Sequence, residues 1–176
     1  MKKVLEYFSN LWYSLIRIVY SRGVSYMKKY SALEIAEWFL NQNNYMQSIT
    51  DTEYMTNLKL QKLLYYAQGI YLSKYKKPLF HEKIYAWEHG PVIKEVYNKY
   101  KSFGGKGIEF DGSTIEFPDE IDQFLESIYN CFGQYSAWKL RNMTHEEEPW
   151  LSTKQNDEIK TDVIKKYFES NNYGLC

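Results

Sequence analysis

The sequence predicts a mainly α fold with a minor α+β component: a single compact helical domain of about six helices, a small β-hairpin or short strand pair, and an amphipathic N-terminal helix. Three observations lead there. Apolar residues recur at three- and four-residue steps in segments separated by capping residues, Gly or Pro. Only two short stretches, 83–88 and 107–117, have strand character. The 176 residues, 44% hydrophobic and 25% charged with a mean hydropathy of -0.57, suit one core in one domain.

Taken in order, Val4 to Tyr20 is apolar except at Glu6, Ser9, Asn10, Ser14 and Arg17, which follow one helical stripe. Glu6 and Arg17 interrupt it too early for a membrane-spanning helix, and no small-x-small cleavage site follows. Three readings stay open: a helix docked on its own domain, a membrane-surface helix, or an extension ahead of a second start at Met27, which makes 1–26 a separate unit from 27–176. Ser31 and Glu34 then form a capping box for a helix carrying Leu33, Ile35, Ala36, Trp38, Phe39 and Leu40, expected to end near Asn41-Gln42-Asn43-Asn44. A helix from about Asn57 to Leu72 is apolar on nearly every side, as a central helix must be. Lys83 to Glu88 reads as a brief strand.

Gly90-Pro91 predicts a helix start, since Pro suits a first helical position, and Gly104-Gly105 ends it. Gly107 to Phe117 reads as a hairpin closed at Asp111-Gly112. Pro118 opens a helix with Asp119, Glu120 and Asp122 in its dipole-favoured first turn and Gly133 as its stop. A short helix over Ser136 to Met143 follows. A last helix after Asn156 carries Ile159, Val163, Ile164, Tyr167 and Phe168.

Charge and composition narrow the function. Twenty-two Lys+Arg balance 22 Asp+Glu, which argues against a protein that coats phosphate backbones. Residues 1–30 are nonetheless basic and 105–126 acidic. Lys59 and Lys62 with Lys74, Lys76 and Lys77 offer a basic strip for a nucleic-acid-binding regulator, without any accompanying nucleic-acid motif. Two cysteines, Cys131 and Cys176, spell no disulfide framework or metal cluster, and a cytoplasmic location is expected. Cys131 reads as a buried inert thiol.

No catalytic residues, metal site or cofactor are expected. Glycines 104, 105, 107 and 112 make no phosphate cradle, and His81-Glu82 lacks a second His four positions on. His81, His89 and His145 have no Cys or carboxylate at ligand spacing. Glu146-Glu147-Glu148 reads as a solvated acidic run. Eighteen Tyr, nine Phe and five Trp, 18% of the chain, instead suit a tyrosine-rich core or an interface.

Three ordered motifs carry a resemblance. Leu58-Lys59-Leu60-Gln61-Lys62-Leu63-Leu64-Tyr65-Tyr66-Ala67-Gln68-Gly69, then Ala86-Trp87-Glu88-His89-Gly90-Pro91-Val92 leading to Val96-Tyr97, then Met143-Thr144-His145 with Pro149-Trp150, resemble the Panacea domain, the SocA-type antitoxin family, over about residues 30–170. The resemblance implies a non-enzymatic antitoxin of a bacterial or prophage toxin–antitoxin pair that neutralises a toxin encoded nearby, or an adaptor delivering that toxin to a Clp-type protease. The matching residues Lys59, Lys62, Tyr66, Trp87, His89, Gly90, Pro91, Thr144, His145 and Trp150 are the candidates for toxin contact or for the motif's scaffold. As physical parts, Lys59 and Lys62 are expected to reach outward, Trp87 and Pro91 to set a strand-to-helix corner, Thr144 to cap a helix or turn, and Trp150 to anchor the chain.

Overall fold

The computed structural model describes residues 30–112, 115–171 and 173. The readings placed on residues 1–26 and on Met27 lie outside them. The described residues form seven α-helices and one small sheet: α1 (Ala32–Ile49), α2 (Asn57–Tyr75), β1 (Ile84–Trp87), β2 (Gly90–Ile93), α3 (Lys94–Tyr100), α4 (Asp119–Phe132), α5 (Ala137–His145), α6 (Glu148–Leu151), β3 (Glu158–Ile159) and α7 (Thr161–Ser170). A 3₁₀ turn, Lys101–Phe103, extends α3. The mainly α, minor β reading is correct. No described helix is long and apolar enough to cross a membrane.

α2 is the spine. Fifteen of its nineteen residues are buried, Asn57 and Lys59 through Leu72, and the other helices and β2 pack around it. Thr56 caps its start by accepting from the Lys59 amide, and Lys76 ends it in the left-handed region at φ 62°. α7 approaches so closely at Gly69 that a Cβ there would lie 2.3 Å from the Phe168 ring. The core is aromatic throughout: Tyr66 stacks on Phe132 at 4.2 Å, and Tyr65 and Tyr71 meet Phe168 and Phe124 edge-on.

α1 starts at the expected capping box but runs through the Asn cluster to Ile49. Its asparagines find tertiary partners, so they do not break the helix: Asn43 donates to Glu53 O and accepts from Tyr129 Oη, and Asn44 donates to Phe110 O. Gly90-Pro91 begins a strand, not a helix. β1 pairs antiparallel with β2, Pro91 opposite Ala86, and with β3, Ile84 opposite Ile159, in the order β2-β1-β3. Pro91 is accommodated because β2 is an edge strand. Ile159 thus belongs to β3, and α7 starts only at Thr161.

The expected hairpin at 107–117 does not form among the described residues. Ile108 instead donates its amide to Met55 O at 2.8 Å, and Gly107 bridges Thr56, which lays this segment against the α1–α2 connection. Cys131 is buried but disulfide-bonded, not a thiol.

Candidate functional site

The buried polar residues of α2 face inward and each ties down backbone of another element. Lys59 Nζ donates to Gly133 O, the last carbonyl of α4, at 2.6 Å, where a cation also meets the negative end of the helix dipole. Gln61 accepts from the Ile93 amide at 2.8 Å. Lys62 Nζ donates to Pro91 O at 2.9 Å and is 0% exposed. Gln68 grips the Leu79 and Phe80 amides and donates to Phe80 O. Both lysines were expected to reach outward; instead the edge of β2 and the end of α4 need donors, and α2 supplies them. Lys59 and Lys62 are therefore lost from the basic strip, which leaves Lys74, Lys76 and Lys77 at the end of α2, and Lys76 pairs with Glu169 at 2.6 Å.

Burial, with Arg141 adding repulsion, pulls the Lys62 ammonium down to about 7. Gly90 lies against it at φ +97°, a backbone conformation that side-chain-bearing residues rarely adopt. A Cβ there would lie 2.8 Å from both Lys62 Cε and Thr144 Oγ1. Thr144 is buried in the last turn of α5, donating to Arg141 O at 2.8 Å, and caps nothing. Lys62, Gly90, Pro91 and Thr144 are thus one buried joint between α2, the hairpin and α5. Trp87 and Pro91 sit on opposite strands of that hairpin; β2 runs straight into α3 after Ile93, and the Trp87 ring meets Tyr97 of α3 edge-on at 4.8 Å.

Tyr66 belongs to a different cluster. Its hydroxyl and that of Tyr173 donate to Glu147 Oε1 at 2.8 and 2.9 Å, while Tyr65 donates to Oε2 at 2.8 Å. Glu147, read from its neighbours as solvated, is 3% exposed. Burial raises its pKa against the opposing effect of the three hydroxyls, and burial followed by the Glu147 charge raises those of the tyrosines. Glu147 is the residue before α6, whose first turn carries Pro149. Its neighbours Glu146 and Glu148 are exposed, and nothing in a run of three glutamates marks the middle one.

Three of the remaining motif residues, Trp87, His145 and Trp150, border an open cleft of about 370 Å³ between the hairpin, α5 and α6, which Glu88, Arg141 and Leu151 also line. Trp150 Nε1 donates to Trp87 O at 2.9 Å, and its ring stacks on His145 at 3.7 Å. Burial and then the positive charges of Arg141, Lys62 and His89 push His145 down to about 4. His89 is exposed and 5.9 Å from the Trp138 ring, which is 60% exposed with the Arg141 guanidinium 5.9 Å away on its face. Sequence reasoning missed Arg141 and Trp138, although Arg141 is the one arginine after residue 22. Among the described residues no group of three or more His, Cys, Asp and Glu side chains converges as a metal site.

The geometry therefore divides the ten candidates: Lys59, Lys62, Tyr66, Gly90, Pro91 and Thr144 are buried, Trp87, His145 and Trp150 line a surface cleft, and His89 is exposed beside Trp138. The chain is 43% identical to Antitoxin SocA of Caulobacter vibrioides (strain NA1000 / CB15N) over 110 aligned residues, covering 54% of this chain and 58% of that protein. It thus spans well under two thirds of that relative's length. No solved structure matches. The sequence model of the family described as Antitoxin SocA-like, Panacea domain, matches residues 60–151, which contain all but the first three residues of the spine, the hairpin, α5 and α6; the chain belongs to that family.

Proposed function

We propose that this chain is an antitoxin that binds a protein toxin encoded beside it and holds that toxin inactive by direct contact. The observation that carries the reading is the match to the SocA-like antitoxin domain over residues 60–151. The organisation of the molecule supports it. The motif's buried polar groups are engaged in holding backbone together, and what the chain offers to solvent at the hairpin–α5–α6 face is Trp138, Leu151, Arg141 and His89, residue types suited to gripping a protein. An inhibitory complex of this kind buries about 1,000 Å² or more in total.

Co-expression tests the proposal. The open reading frame adjacent to this gene is induced in a bacterial host with and without the full chain, and growth is followed. Arrested growth that the chain restores, together with co-purification of the two proteins, is the expected result. A harmless neighbour, or toxicity that the chain leaves unchanged, overturns it.

A further inference from the structure

The hairpin–α5–α6 cleft has an electrostatic character that the antitoxin reading does not by itself require. Among the described residues, four buried side-chain atoms lack a hydrogen-bond partner: Asn41 Nδ2, Tyr100 Oη, Arg141 Nε and His145 Nε2. Two of the four belong to Arg141 and His145, one helical turn apart on α5 and both lining this cleft. Arg141 Nε is always a donor, an unmet buried donor is costly, and an arriving acceptor relieves it. Arg141 donates from Nη1 to Asn142 Oδ1 at 3.0 Å, and no carboxylate of the described residues pairs with it.

Arg141 is the permanent cation of the cleft lining. Arg141, Lys62 and His89 all bear on His145, while Glu88, the acidic lining residue, is exposed at the rim. Beside this charge stand two exposed apolar side chains, Trp138 at 60% and Leu151 at 61%. A desolvated arginine flanked by an indole and a leucine is the composition of a binding hot spot.

We infer that this cleft is the toxin-docking surface and that it receives an Asp or Glu side chain from a toxin loop, whose carboxylate bonds Arg141 while apolar neighbours cover Trp138 and Leu151. The inference rests on the antitoxin reading and adds the place and chemistry of contact. A carboxylate fits better than a nucleic-acid backbone. Trp138 and Leu151 stand exposed beside Arg141, and apolar neighbours on a protein loop cover them where a phosphate backbone does not. The other exposed apolar group, Tyr45, Ile49 and Tyr54, lies near the C-terminal end of α1 and the loop after it, apart from this charge, and serves as the control surface.

Calorimetric titration of the purified neighbouring gene product into the full chain tests it, with circular dichroism melts on every variant. Arg141→Glu is expected to weaken binding by about 100-fold and Trp138→Ala by at least about tenfold, while Ile49→Ser changes it less than about twofold. Reversing one toxin Asp or Glu to Arg should then recover at least about tenfold of the Arg141→Glu loss. Because Trp138 is largely exposed, Trp138→Ala reads the surface even if Arg141→Glu melts early. Tight wild-type binding that survives both cleft substitutions, or that Ile49→Ser damages equally, overturns the docking surface and leaves the antitoxin reading standing. Failure of all toxin reversals to rescue Arg141→Glu overturns the carboxylate. Absence of wild-type binding overturns both readings, and Arg141-dependent, salt-sensitive binding of duplex DNA in place of the toxin does the same.

Discussion

Two residues at the buried joint of α2 and the hairpin show how narrowly this fold constrains side-chain choice. Gly90 is required twice over, by its φ of +97° and by the 2.8 Å approach of Lys62 Cε and Thr144 Oγ1 to where a Cβ would stand. Gly90→Ala therefore adds backbone strain to a steric clash, and a loss of about 2–4 kcal/mol in urea-unfolding free energy is expected. Lys62 predicts a pH dependence of unusual sign. In the folded chain its ammonium loses its proton near pH 7, whereas the unfolded chain keeps it until about 10.5. Between those values the unfolded state binds more protons, so stability rises with pH. From pH 7 to about pH 9.5 the gain is expected to reach roughly 2–3 kcal/mol, before ionisation of unfolded-state tyrosines reverses the trend above about pH 10. Urea midpoints across this range should climb for the native chain and climb distinctly less for Lys62→Met, which keeps the stem's packing and lacks the titrating group, the residual slope coming from Lys59, whose ammonium is also pulled down by burial.

At the scale of elements, the design is one helix whose polar side chains hold the backbone of its neighbours. Lys59 caps the end of α4, Gln61 and Lys62 hold the edge of β2, and Gln68 grips the turn at Leu79 and Phe80. Glu147 closes α6 onto the same spine through Tyr65 and Tyr66, and brings Tyr173 with it. Glu147→Ala removes the shared acceptor of three hydroxyls, two of them buried, and a destabilisation of about 3 kcal/mol or more is expected. Glu147→Gln retains an oxygen for two of them and presents an amide that the third hydroxyl can accept from, so a loss of about 1 kcal/mol or less is expected by the same urea assay. Such polar ties explain what the sequence disclosed and what it concealed. Apolar periodicity and local caps marked α1, α2, α4 and α5, because those signals lie within the segment that folds. The end of α1, the ties from α2 that hold the strand at Gly90-Pro91 and the fate of residues 107–112 depend on partners 10 to 86 positions away in the sequence, which no local pattern carries. Lys59 and Lys62 failed as surface residues for the same reason: an orphan carbonyl on another element decides whether a lysine is buried.

For the whole molecule, the arrangement separates what builds the domain from what the domain presents. Six of the motif residues hold buried joints and three line the cleft, whereas the cleft's Arg141 and its neighbour Trp138 lie outside every motif that carried the resemblance. Scaffold and surface should therefore respond differently to damage. Gly90→Ala and Glu147→Ala act on the folded fraction, so neutralisation of the toxin is expected to fall only as far as the chain unfolds, and growth at reduced temperature or a higher dose of antitoxin should restore it. Trp138→Ala, 60% exposed, leaves folding intact and removes contact area, so neither cooling nor moderate overexpression should recover the same protection. The measurement is a growth-rescue assay at two temperatures alongside the melting temperature of each variant. The scaffold variants are expected to share one curve of rescue against folded fraction, and Trp138→Ala to fall well below it. If all variants share that curve, Trp138 contributes only through stability, and the functional surface must be sought elsewhere on the domain.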